Sequence, residues 1–434
     1  AFFSVSHFSK LMMGMVVERG WSQITFTSLQ QVLDFSDKSN RQLQQDKLDE
    51  QVSTRDQDLL KSTLSPKVNF YSTADYYPII PSQVIPDIFN GGNGEKFRKV
   101  QFGLPINFTT GVELTMPIIN FEKWETLKKA ALQTEGVKWK TETDKERLHN
   151  QLTDLYYKIL VAKEFLQLNK ENERVTTELL QLMELRMKEG TVNPSDYNRA
   201  KNLSLDIQTA SIEYEKAYNS YLNAFKSFLF LPADDDVQIS DSLTLSMNVP
   251  QTVSVEQRPA LKQAAVMVRM AEQSIREAQK ASLPKLYLNS RYYYQFGIKP
   301  GAHSQTVQFD ASTIGLRLDF PLFQGGYYRT SQQKAKLQLQ SAKLNEEGVK
   351  ENLSKEQRDW WIALTAAQKK ASILQQKVHV TADNLRIAQL SMKEGVMEYD
   401  EFSNIFMEDI KARIDRVQNL GDATIYQLLL TQNK

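Results

Sequence analysis

From Glu122 to Met187 the chain contains no proline and one glycine, Gly136; from Tyr327 to Lys393 a second run contains Gly348 alone. Each run, about 65 residues long, suffices for a helix on the order of 100 Å at 1.5 Å per residue. Helices of that length are rare in globular domains and imply coiled-coil packing. Apolar residues recur in them at mixed three- and four-residue spacings among abundant Ala, Ser, Gln, Asn and Lys. That pattern suits a curved wall wetted on its inner and outer faces better than a helix wrapped around one large core.

The two runs belong to an internal repeat. Leu64-Ser65-Pro66-Lys67-Val68 resembles Ser282-Leu283-Pro284-Lys285-Leu286, and Val112-Glu113-Leu114-Thr115-Met116-Pro117 resembles Leu316-Arg317-Leu318-Asp319-Phe320-Pro321. Met187-Lys188-Glu189-Gly190 recurs identically as Met392-Lys393-Glu394-Gly395, each followed seven residues later by an aromatic, Tyr197 or Phe402. Gly190 and Gly395 are 205 residues apart and Pro117 and Pro321 are 204 apart, whereas Pro66 and Pro284 are separated by 218. The first half therefore carries 14 extra residues between its proline markers. They fall on Pro78 to Lys99, whose Asn90-Gly91-Gly92-Asn93-Gly94 core marks a surface insertion. The expected organisation is an N-terminal arm over 1–23, a first repeat over 24–235 and a second over 236–434. The arm, with its short apolar stretch Leu11–Val17, reads either as a leader remnant or as a segment draped on the surface.

Each half reads helix, two strands, long helix, tight turn, helix. Ser28 and Gln31 have capping-box spacing, predicting a helix to about Thr63 with Pro66 beyond its end. Strands are expected over about 66–78, 101–118, 284–297 and 305–321, because apolar and polar residues alternate there: Val68 and Phe70 with Asn69, Leu286 and Leu288 with Asn289, Ile314, Leu316 and Leu318 with Thr313, Arg317 and Asp319. Alternation alone favours four half-buried strands of a soluble sheet. Aromatics bunched near the strand ends, including Tyr76-Tyr77 and Tyr292-Tyr293-Tyr294, favour the interfacial girdles of a membrane barrel. No stretch approaches the roughly 20 apolar residues of a spanning helix, so any membrane crossing would be a closed barrel.

Turns are predicted at about 189–196 and 394–401, with Gly190 and Gly395 as helix C-caps and Ser195 or Asp400 as caps of the returning helices. Taken locally, these residues also fit an ordinary helical hairpin. Glu113 and Arg317 occupy equivalent positions on the polar strand faces; they read as a lone ion pair or as charges lining a lumen, where they escape the cost of facing lipid.

In its duplicated plan, in Arg258-Pro259 followed by Ala271-Glu272 and Ala281-Ser282-Leu283-Pro284, and in the paired turns after Gly190 and Gly395, the chain resembles the outer-membrane efflux family typified by TolC, over about Thr27 to Thr431. The resemblance implies a mainly α fold with a β-barrel contribution: a homotrimer in which four strands per protomer join one transmembrane barrel and coiled-coil helices form a periplasmic α-barrel. It implies docking of a periplasmic adaptor at the tips (Lys188, Glu189, Gly190, Thr191, Lys393, Glu394, Gly395, Val396), with an inner-membrane pump beyond. It further implies a gate constriction near Ser195, Asp196, Asp400, Glu401 and Asn404, and strand–helix joints at Pro66, Pro117, Pro284 and Pro321. The arginine often found in the family's second turn is missing; Met397 stands near that position.

The 53 Lys+Arg against 52 Asp+Glu give no electrostatic footprint for nucleic acid. With no cysteine, disulfides, thiolate metal sites and Cys nucleophiles are excluded. The four histidines lack metal-ligand spacing, no phosphate-binding or nucleophile motif occurs, and Asp234-Asp235-Asp236 lacks calcium-loop spacing. The expectation is a non-enzymatic duct without cofactors that passively conducts substrates delivered by a partner pump. The rival readings are a free-standing porin, which would lack such helices, and a soluble coiled-coil scaffold with assembly hairpins.

Overall fold

A computed structural model describes residues 24–86, 97–243, 254–301 and 305–431. In chain order the elements are β1 (Ile24–Phe26), α1 (Leu29–Ser39), α2 (Arg41–Ser62), β2 (Lys67–Tyr76), β3 (Ser82–Pro86), β4 (Phe97–Gln101), β5 (Ile106–Ile119), α3 (Phe121–Lys188), α4 (Pro194–Phe228) and β6 (Val237–Ile239). They continue with α5 (Pro259–Lys280), β7 (Lys285–Lys299), β8 (Gln305–Asp319), α6 (Tyr327–Glu394) and α7 (Tyr399–Thr431). The two proline-free runs become α3 and α6, each of 68 residues. Contacts divide the chain into two compact units, one holding 24–48, 139–263 and 347–431 and the other 49–138 and 264–346, so each draws on both halves of the sequence. No described helix is long and apolar enough to cross a membrane.

The second unit contains a four-stranded antiparallel sheet in the order β2-β5-β7-β8. Its register decides which side chains share a face. Asn69 pairs with Glu113, Glu113 with Arg291, and Arg291 with Thr313; two rows along, Tyr287 pairs with Arg317. The adjacent row runs Phe70, Val112, Tyr292, Ser312, and the same face carries Val68, Leu114, Leu288, Leu316 and Leu318. One face is therefore polar and charged and the other apolar. Phe70 is 72% exposed and Ile314 78%, so among the described residues nothing covers this part of the apolar face. Among the described residues both edge strands, β2 and β8, have one side without a neighbouring strand.

Three sequence expectations need correction. The first helix does not run unbroken from Ser28: buried Asn40 adopts an extended backbone, donates through Nδ2 to the Phe228 carbonyl at 3.0 Å and accepts from Leu43 N at 3.1 Å, separating α1 from α2. The Ser28 cap itself forms, accepting from Gln31 N at 3.4 Å while Gln31 Oε1 accepts from Thr27 N at 3.0 Å. The second strand begins at Ile106, not 101; Gln101 closes a separate hairpin, β3–β4, built from the extra length of the first half. The Asn90–Gly94 loop, the 1–23 arm and His303 lie outside the described residues. Pro117 is not at a strand–helix joint: it sits within β5, at the register shift between Pro117 and Ile119, where a residue without an N–H interrupts the ladder least. Pro66 and Pro284 stand directly before β2 and β7, and Pro321 follows β8.

Two features had no sequence signal strong enough to predict them. β1 and β6 pair in parallel, Ile24 with Val237 and Phe26 with Ile239, bringing the beginnings of the two halves together. Around them lies the main core of the first unit, with Phe26, Val32, Leu152, Tyr156, Ile159, Phe225 and Leu229 all buried. Gly421 permits close approach of α7 to α3, since a Cβ there would lie 2.3 Å from Val161 Cγ2.

Candidate functional site

The two helix turns are built alike. Gly190 and Gly395 adopt φ of +74° and +79°, the left-handed conformation that favours glycine. In the first turn Gly190 N donates to Met187 O and Thr191 N to Arg186 O; in the second Gly395 N donates to Met392 O and Val396 N to Ser391 O. These are paired Schellman closures. Lys188 and Lys393 stand in the last turns, favourable at helix C-termini. Glu189, Thr191, Glu394 and Val396 are exposed, Val396 to 79%.

The returning helices start differently from expectation. Asn193, not Ser195, caps α4: its Oδ1 accepts from Ser195 N at 2.9 Å, and Pro194 occupies the first helical position. Asp400 does not cap α7 but lies with Glu401 in its first turn, where carboxylates suit the helix dipole. Asp196 is likewise in the first turn of α4. Asp400, Glu401 and Asn404 are exposed on α7, while Phe402 and Phe406 point inward and stack with ring centroids 6.1 Å apart. They close a core with Val175, Leu179 and Met183 of α3, Leu203 and Ile207 of α4, and Leu385 and Met392 of α6.

Two arginines tie the turns together. Arg199 Nη1 of α4 lies 2.6 Å from both carboxylate oxygens of Asp400. Arg186 Nη2 of α3 donates to the Lys393 carbonyl at 3.0 Å, beside Gly395. The second turn lacks its own arginine, with Met397 packed against the tip core, and the cross-links come from the first hairpin instead. Neither arginine was singled out in the sequence. The repeat contains a signal: at its 205-residue offset Ser195 matches Asp400 and Arg199 matches Asn404, so the halves diverge where the charges pair.

On the sheet, Glu113 and Arg317 share the polar face but do not pair with each other. Glu113 Oε2 is 3.8 Å from Arg291 Nη2. Arg317 lies 3.1 Å from Asp319 and over the Tyr287 ring at 5.1 Å. Gly111 faces the same side; a Cβ there would meet Tyr71 Oη at 2.9 Å, so the tyrosine crosses the strand at a glycine.

Within the first unit, Arg258 is nearly buried, ion-pairs with Glu146 and, at 3.3 Å, with Glu356, and stacks on Trp360. Burial pushes the Glu146 carboxyl up, against the pull of Arg258. These groups are among the lining of a half-open cavity of about 860 Å³.

The family model for outer membrane efflux proteins matches residues 33–229 and 253–424. The chain therefore belongs to the outer membrane efflux protein family, and it is an outer-membrane efflux duct extending into the periplasm. Its fold is that of the outer membrane protein VceC from Vibrio cholerae (TM-score 0.77, 15% identity, 93% of this chain and 95% of that one). It also superposes on the CmeC outer membrane channel of Campylobacter jejuni (0.77, 15%, 93% and 84%) and on CusC (0.78, 14%, 97% and 95%). No curated protein matches the sequence.

Proposed function

We propose that the protein is the exit duct of a tripartite efflux or type I secretion system, a homotrimer that passively conducts what a partner pump delivers. The observation that carries this reading is the four-stranded sheet. Its faces are segregated and, among the described residues, its apolar face is largely exposed and both of its edges are unpaired. Lipid accounts for the bare face, and closure with the sheets of two further copies accounts for the edges. The polar face, with Glu113, Arg291 and Arg317, then lines the lumen, where charge is tolerated.

The turns at Lys188–Thr191 and Lys393–Val396 form the periplasmic tip and receive the adaptor, beyond which the inner-membrane pump loads the tube. Ser195, Asp196, Asp400, Glu401 and Asn404 narrow the lumen there, and Pro66, Pro284 and Pro321 mark the passages between barrel and helices. A conduit of this kind needs no cofactor. Single-channel recording in planar bilayers tests it: neutralising Asp400 and Glu401 together should reduce cation preference. A protein that forms no pore, or whose ion selectivity is unmoved by the double variant, contradicts the duct or the gate assignment respectively.

A further inference from the structure

Apolar side chains are left bare on two helices of the first unit. On α6, Ile373, Val380 and Ile387 repeat every seven residues and are 63%, 57% and 52% exposed. On α4, Leu205 and Ile212, again seven apart, are 48% and 65% exposed. Core residues of the same helices (Leu203 and Ile207, Leu385 and Ala388) point elsewhere, into the bundle. A seven-residue apolar repeat is the seam of a coiled coil, and among the described residues neither seam has a partner.

Distances from the turn glycines relate the two stripes. Leu205 is 15 residues beyond Gly190, and Val380 is 15 before Gly395; Ile212 is 22 beyond, and Ile373 is 22 before. Since α4 leaves its turn and α6 approaches its own, antiparallel helices whose turns are level bring Leu205 to Val380 and Ile212 to Ile373. The flanking charges agree. At about 100° per residue, Asp206 and Glu213 lie to one side of the α4 stripe and Lys377 and Lys370 to the corresponding side of the α6 stripe. Their depths are 16 against 18 and 23 against 25 residues. On the other side Lys201, at 11, meets Asp383, at 12. Within the chain Glu213 engages Lys216 at 3.3 Å, Lys377 lies 3.9 Å from Asp415, and His379 lies 3.7 Å from Asp383, all at exposed positions.

We propose that α6 of one copy docks on α4 of the next through these stripes, in the register Leu205–Val380 and Ile212–Ile373, with the three opposite-charge pairs fixing the register. The inference rests on the multi-copy duct and adds the faces and alignment by which copies join. In a closed ring every copy presents both stripes once, so the contact is head-to-tail.

The chain has no cysteine, which makes the test clean. The full-length Leu205→Cys/Val380→Cys and Ile212→Cys/Ile373→Cys variants, in detergent and mildly oxidised, should give covalent multi-chain species on non-reducing gels that collapse on reduction. The mismatched Leu205→Cys/Ile373→Cys variant, about 10 Å out of register, should not, because disulfides need Cα atoms within about 7 Å. Light scattering on the same samples reports the copy number. A trimer that does not cross-link in register, or that cross-links equally out of register, overturns the docking while leaving the duct. A monomer overturns both.

Discussion

Arg199 and Asp400 join the two helix turns: one guanidinium nitrogen of α4 lies 2.6 Å from both carboxylate oxygens at the start of α7. Both side chains are well exposed, so the pair is screened by solvent and contributes little to global stability. Its effect is local. Arg199→Ala should leave the melting temperature close to that of the parent while amide exchange over Gly395–Phe402 accelerates severalfold. The charge swap Arg199→Asp/Asp400→Arg should restore protection. If Asp400 also narrows the conducting path, Arg199→Ala raises single-channel conductance and the swap returns it toward the parent value.

The tip core is where stability should be most sensitive. Phe406 is buried among residues of α3, α4 and α6 and stacks on Phe402. Phe406→Ala should cost about 3–5 kcal/mol by transfer and cavity terms. Gly421→Ala should cost about 1–3 kcal/mol by overpacking, because its new Cβ meets Val161. Denaturant midpoints in detergent measure both.

Arg258 neutralises a buried carboxylate. Removing it with Arg258→Met strands Glu146 and should cost about 3–5 kcal/mol near neutral pH. Burial already raises the Glu146 carboxyl above its ordinary 4.5. A group whose folded-state value is raised contributes fully below its unfolded value, and that contribution is lost as pH rises through the folded value. The deficit of Arg258→Met relative to the parent should therefore shrink on acidification toward pH 4.5, and Glu146→Gln in the same background should abolish that pH dependence. Melting curves across the range decide it.

The two sheet faces predict opposite tolerances. Leu316→Arg places a charge on the bare apolar face and should cost about 2–4 kcal/mol near mid-membrane. Asn289→Arg, on the polar face opposite Thr115 and Gly315, should fold nearly normally. Folding yield into lipid vesicles, read by gel mobility, separates them.

The long helices and the strand alternation were legible in the sequence because each rests on a local period that neighbouring residues enforce. The matched turns were legible because Gly190 and Gly395 sit in identical tetrapeptides. What was not legible depends on contacts distant in sequence. Asn40 breaks the first helix because the Phe228 carbonyl, 188 residues away, accepts from it. β1 and β6 have three residues each, too few to show a period. Arg186 and Arg199 became visible only when the two hairpins were brought together, since each reaches a group more than 200 residues away. Ser195 and Asp400 were reasonable caps by residue type, but Asn193 stands one position before Pro194, and the proline fixed where the helix begins.

Electron microscopy of the detergent-purified protein puts the proposed trimeric duct to the test. It should show a threefold tube with a β-barrel and a helical cylinder that carries the turns at Gly190 and Gly395. A compact monomer, or a solid rod with no lumen, would contradict it.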